Sequence, residues 1–383
     1  MIAKPAWQAL LALVLVLAAW LLGPMTVPEA DSLANPTASV TFPFVATKPL
    51  FYGLLLAAIV LSMTRLSAAA RAAILFVGAH GAAWFLLHGI YGFEGTARAP
   101  FFLLVAAAWL LAWQCVTLLS SQRPLQRWLD TAYRLLVPAI FGIWILILWE
   151  AATRGAGIPF ILLPPPTAIG AKLASSIDII AADVRQTIFK AVIVGYVVGC
   201  GAGFAVAILA DRVDFLRRGL LPIGNMVSAL PIIGVAPIMV IWLGFDWQSK
   251  AAVVILMTFF PMLVNTVAGL ASTGHMERDL MRTYAAGYWQ TLLKLRLPAA
   301  APFIFNALKI NSTLALIGAI VAEFFGTPVV GMGFRISAEV GRMNVDMVWA
   351  EIAVAAVAGS VFYGAIALIE RAVTFWHPSV RGG

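Results

Sequence analysis

Glu150, Lys190, Lys309, Glu323, Glu351 and Glu370 stand inside or at the edge of long apolar stretches, and Asn311 lies two positions from Lys309. An ionisable group in such a place is costly unless it is paired or wetted, so each marks a pathway, an ion relay or a contact between subunits. Glu150, Lys190 and Glu370 sit near stretch ends, where snorkelling to the headgroups accounts for them. Lys309 and Asn311 lie deeper, and Glu323 directly follows an apolar run. The chemistry open to this set is movement of a solute or ion. Bond making is not expected, because no nucleophile falls in a pattern with a base. The histidines, His80, His88, His275 and His377, are scattered, and His80 and His88 have no Cys or carboxylate beside them, so no metal site is expected. A phosphate-cradling loop would read G-x-x-x-x-G-K-[ST], and no Gly-Lys pair occurs.

The elements that must hold these groups follow from composition. The 383 residues are 62% hydrophobic and 11% charged, with a mean hydropathy of +0.96, which is far outside the range of soluble domains. The fold class expected is an all-α, polytopic membrane protein. A hydrocarbon core of about 30 Å takes roughly 20 apolar residues per helix. About ten stretches qualify, near 6–23, 50–64, 72–91, 101–120, 135–151, 188–210, 219–243, 251–270, 301–321 and 349–370. The first is too long for a signal-peptide core and lacks a small-x-small cleavage site, so it is read as a retained span. Cys115 and Cys200 both fall in apolar stretches and predict no disulfide.

Ten spans with a cytoplasmic N-terminus place fifteen of the 25 Lys and Arg residues on the inner side and eight on the outer. This bias predicts both termini in the cytoplasm. It also accounts for most of the net charge of +8, so no nucleic-acid partner is needed. Residues 1–120 hold four spans with few polar features, and the basic connector SQRPLQRWLDTAYR precedes six more. The domain boundary is accordingly placed at 120/121, with 1–120 an N-terminal extension. Gly195, Gly199 and Gly203 make two overlapping G-x-x-x-G steps, which let another helix approach the backbone closely. Pro222, Pro231 and Pro237 predict a helix broken inside the membrane, of the kind that lines a cavity or moving interface.

The largest basic inner loop reads DLMRTYAAGYWQTLLKLRLPAAAP over 279–302. It resembles the cytoplasmic EAA loop of bacterial ABC importer permeases. Leu297 and Pro298 supply that pattern's Leu-Pro, Ala285 stands at its Gly, Asp279 at its Glu, and Leu280 and Met281 at its two alanines. LPIIGVAPIMVIWLGF, YWQTLLKLRLPAAAPFIFNALKI and IVAEFFGTPVVGMGFRI are similar, in that order, to the nitrate, sulfonate and taurine branch, as is LLPPPTAI at 162–169.

The resemblance covers about 121–383 and implies a type I permease with a core near 185–371. It implies a loop at 279–298, carrying Asp279, Arg282, Ala285, Gly287, Leu297 and Pro298, that forms one short helix ended by Pro298. That helix docks in a cytoplasmic ATPase, and a methyl group at Ala285 is about the largest side chain the approach admits. The partners implied are two ABC ATPase subunits, a second permease copy making a homodimer, and an external substrate-binding protein, all in membrane lipid. No cofactor is expected on this chain, since ATP is used by a partner subunit. Asn225, Pro231, Pro237, Lys309, Asn311 and Glu323 are the candidate pathway or interface residues. The alternative is an ion-coupled secondary transporter using Glu323 or Glu351, which would need no ATPase dock.

Overall fold

A computed structural model describes residues 6–22, 25, 43–64, 66–122, 126–228, 231–326 and 329–376. The described chain is helical, and it divides into two compact units, Met1–Ile169 and Gly170–Gly383. Among the described residues, seven helices are long and apolar enough to cross a membrane, and three shorter apolar helices accompany them.

The first unit contains α1 (Trp7–Leu21), α2 (Pro43–Ser62), α3 (Ala68–Ile90), α4 (Ala99–Ser121) and α5 (Arg127–Gly155). Helix α3 begins where the Ser67 side chain accepts the Ala70 N–H at 3.2 Å, and α4 begins with Pro100 in its first turn, where a missing N–H costs nothing. Phe101, Leu104 and Leu111 of α4 meet Leu55 and Ile59 of α2 and Leu75, Leu86 and Ile90 of α3 in one apolar core. Ile140 and Trp144 of α5 belong to the same core. The packing boundary therefore falls at 169/170, whereas the sequence places its boundary at 120/121. The connector is polar enough to look like a domain edge, yet the helix after it keeps an apolar face that α3 and α4 cover.

The second unit starts in α6 (Pro166–Ser175) and continues through α7 (Ile177–Arg212), α8 (Asp214–Ser228), α9 (Ile232–Leu243), α10 (Trp247–Ala271), α11 (His275–Thr283), α12 (Tyr288–Glu323), α13 (Met332–Gly341) and α14 (Val345–Val373). Helix α10 is its centre, packed between α7 and α12, and α14 lies on α12. The glycine stripe explains the closeness of α7 and α10. A Cβ on Gly195 would meet Val254 Cβ at 2.6 Å, and one on Gly199 would collide with the Thr258 hydroxyl. One on Gly203 would strike the Phe259 carbonyl. The expected broken helix is present as α8 and α9. Pro231 stands in extended geometry as the N-cap of α9, and Gly244 at φ 84° closes that helix.

Candidate functional site

The basic loop is a helix, a turn and a second helix. Helix α11 stops at Thr283 because the chain reverses through a left-handed residue. Ala285 has φ 52°, its N–H reaches the Arg282 carbonyl at 2.8 Å, and the Ala286 N–H reaches the Met281 carbonyl at 3.0 Å. This pair of bonds is a Schellman cap with Ala285 at its C′ position, the place where glycine is favoured for its conformational freedom. The next helix is capped at once, since Gly287 is its N-cap and donates its N–H to Gln290 Oε1 at 3.1 Å.

One expectation about this segment needs correction. The stretch is not one helix ended by Pro298. Tyr288 to Glu323 runs as one helix, and Pro298 sits just after a wide turn, Leu292–Arg296, in which the Leu297 N–H bonds the Leu292 carbonyl five residues back. Widening the turn gives the pyrrolidine ring room without breaking the rod. Ala285 is exposed, and its left-handed backbone is a conformation that glycine adopts most readily.

On α11 and its C-cap, Met276, Leu280 and Tyr284 recur at four-residue spacing and are 85%, 56% and 78% exposed, which leaves an apolar stripe uncovered among the described residues. Asp279 and Arg282 flank it in an exposed pair 3.4 Å apart. Behind the stripe the turn is tied down. Arg296 makes a two-pronged bond to Asp211 at the end of α7, with both distances 2.6 Å. It also donates to the Leu270 carbonyl at the end of α10. The Tyr288 hydroxyl donates to Asp211 at 3.1 Å, and Arg278 reaches the Leu270 and Ala271 carbonyls. Side-chain exposures of 13% for Arg296 and 5% for Asp211 show that the pair is out of water.

A second polar cluster lies at the other end of these helices. Thr187 donates to Glu323 at 2.8 Å, and the Gly333 N–H donates to the same carboxylate at 2.7 Å. The Gly331 N–H and Arg335 bond the two oxygens of Asp183 at 2.6 and 2.8 Å. Glu323 thus caps the start of α13 and fixes where the chain returns. Glu351 is fully buried nearby, with no hydrogen bond to either carboxyl oxygen. Lys250, equally buried, donates to the Phe245 carbonyl. Asp246, outside the helices, accepts from Trp247 and Gln186, and these bonds, in that order, hold its carboxyl below the usual range.

The other candidates are dispersed. Lys309 pairs with Glu370 at 2.7 Å, joining α12 to α14. Asn311 is fully buried and donates to the Thr258 carbonyl at 2.8 Å and to Cys200 Sγ at 3.2 Å, so it ties α12 to α10 and α7. Glu150 is paired with Arg154 and is not reaching for a headgroup. Pro237 lies inside α9, and the side chain of Asn225 lies outside the described residues. Asp183, Thr187, Asp211 and Tyr288 went unread in the sequence. A carboxylate four residues before a threonine, leading into an apolar run, is the one signal that could have drawn attention to the first two.

Seven long, apolar and mutually packed helices among the described residues define an integral, multi-pass membrane protein. Residues 195–375 match the family of binding-protein-dependent transport system inner membrane components, and this region of the chain belongs to it. The curated proteins similar to the region are permease proteins of binding-protein-dependent and ABC transport systems. The chain is 29% identical over 245 residues to a formylaminopyrimidine transport permease of Halalkalibacterium halodurans, covering 64% of this chain and 97% of the relative. It is 27% identical over 237 residues to a riboflavin transport system permease of Chloroflexus aurantiacus, covering 61% and 88%. A taurine transport system permease of Escherichia coli is 26% identical over 278 residues, covering 69% and 97%. Membership implies ATPase and substrate-binding-protein partners.

Proposed function

We propose that two copies of this chain form a homodimeric pathway in a bacterial inner membrane, with both termini in the cytoplasm. The chain carries no ATPase site of its own and binds no cofactor, and ATP is used by the docked partner. The permease region is taken as 121–383, with its core near 185–371, and residues 1–120 add a four-span unit in contact with lipid. Relatives named for formylaminopyrimidine, riboflavin and taurine transport support a small organic or inorganic solute delivered by an external binding protein.

The observation that carries the docking assignment is the uncovered stripe Met276, Leu280 and Tyr284 on a turn held from behind. Burying such a stripe in a groove is worth about 25 cal/mol per Å² of apolar surface, and the exposed Asp279–Arg282 pair adds about 1 kcal/mol or less. Asp279, Arg282, Ala285 and Gly287 are the surface and bend of the dock, and Leu297 and Pro298 belong to the helix that carries it. Pro231, Pro237 and Asn225 on the broken helix are assigned to the pathway, and Lys309, Asn311 and Glu323 to contacts that set its shape.

Co-purification of the ATPase tests this reading. Leu280→Asp should abolish capture of the ATPase while the permease still elutes as a folded species, whereas Asp279→Ala should leave capture near wild type. Full capture by Leu280→Asp would remove the docking assignment. Single-cysteine labelling tests orientation: position 282 should react only from the cytoplasm and position 94 only from outside.

A further inference from the structure

The pair that braces the dock from behind has a position that suits more than bracing. Asp211 closes α7, the Leu270 and Ala271 carbonyls close α10, and Arg296 lies two turns into α12, so one guanidinium joins three spans at the end where the docking turn hangs. Arg278, from the docking helix itself, bonds the same carbonyls, and the Tyr288 hydroxyl shares Asp211. The Arg212 guanidinium stacks over the Tyr288 ring at 5.5 Å. A planar fork held at two oxygens fixes orientation as well as distance, which a single point contact does not. None of these groups carries the exposed stripe, and both carboxylate oxygens of Asp211 are already engaged within the chain.

We infer that Asp211 and Arg296 are positioning residues that make α7, α10 and α12 move together with the docking turn, so that closure of the ATPase is passed to all three spans at once. The inference rests on the docking reading above. Without the pair, the turn still presents its stripe and still binds, and α10 keeps its bonds from Arg278, but the end of α7 loses its hydrogen-bonded tie to the turn and receives less of its displacement. Removing a single partner strands a buried charge, which threatens folding. Replacing both by apolar side chains of similar volume keeps the site packed while deleting the fork.

The experiment uses the full permease with its ATPase in proteoliposomes, and needs no transported solute. A cysteine is placed at exposed Asp178, at the end of α7 remote from the dock, and its rate of reaction with a charged maleimide is followed with and without ATP plus vanadate. In the wild type the nucleotide should change the rate several-fold. In the double variant Asp211→Leu with Arg296→Met, the ATPase should co-purify at the wild-type ratio, and the nucleotide-dependent change should fall below twofold. Arg296→Lys, which keeps the charge and loses the fork, should retain less than half of the wild-type change. An undiminished response in either variant overturns the inference. Loss of the ATPase from the double variant also overturns it, because the pair would then belong to the dock. Failure of the wild-type chain to retain the ATPase would refute the docking reading instead, and is distinguished by that control.

Discussion

Arg154 donates Nη1 to Glu94 Oε1 at 2.7 Å, tying the end of α5 to the turn between α3 and α4, while its Nε bonds Glu150 and its Nη2 bonds Thr167 Oγ1 at 2.8 Å. The two carboxylates are unequal, since the Glu94 side chain is 42% exposed and that of Glu150 only 5%. Glu94→Gln should therefore cost about 1 kcal/mol or less. Arg154→Met strands Glu150 and should cost roughly 3–5 kcal/mol. Thermal melts in detergent of both variants check the ordering, and equal shifts would contradict it.

The same contacts bear on the first four helices. Deleting residues 1–120 would remove Glu94 and uncover Ile140 and Trp144, both nearly fully buried against α2–α4. The shortened chain is expected to give a lower yield of monodisperse protein than a chain cut at 169/170, where the packing divides. Size-exclusion profiles of the two products decide the matter.

Ala285 occupies a left-handed backbone at φ 52°. Ala285→Gly should stabilise the turn by about 1 kcal/mol, because the methyl group is what makes this conformation unfavourable. Ala285→Val should weaken it by more, since a β-branched residue tolerates positive φ least. Proteolysis within 283–288 is a direct readout, slower for the glycine variant and faster for the valine.

Gly199→Leu pushes a side chain into the Thr258 hydroxyl and the Ile255 backbone, and overpacking of this kind typically costs about 1–3 kcal/mol. Gly201, on the opposite face with open space beside it, is the control. Gly201→Leu should leave the melting temperature near wild type, and a similar loss in both would refute the close approach of α7 and α10.

Asp246 contributes in an acid-dependent way. Its folded carboxyl is held below the usual range, first by the Trp247 N–H and then by Gln186. A depressed folded value means the stabilisation is fully present above the unfolded value, near 4, and is lost as pH falls through the folded value. Asp246→Ala should melt lower than wild type at pH 7, with the gap closing toward pH 3.

The order of the apolar helices is legible because apolar runs of about 20 residues have few alternatives in water, but of the ten spans expected, seven helices among the described residues are long enough to cross and three are shorter. The break at Pro231 and the glycine stripe were legible for similarly local reasons, a missing donor and a missing Cβ. The partners of polar groups were not, because Asp211 and Arg296, or Asp183 and Arg335, are brought together only by packing. Helix α5 was assigned with the helices after it, because its connector is polar while its buried face is spread over α3 and α4 and shows no local sign. The helix of the basic loop is legible in its amphipathic pattern, whereas its continuation through Pro298 is not, since a proline suggests a stop until the wide turn before it is seen.

That wide turn has a mechanical consequence. Because Pro298 is absorbed and not obeyed, Tyr288–Glu323 is a lever of 36 residues, about 54 Å long at 1.5 Å per residue. Its short-range fulcrum is Asn311, bonded to the Thr258 carbonyl and Cys200. The turn after α11 sits on one arm, and Glu323, which holds the start of α13, tips the other. The arms are unequal, so a rigid tilt about Asn311 would displace the turn end roughly twice as far as the Glu323 end.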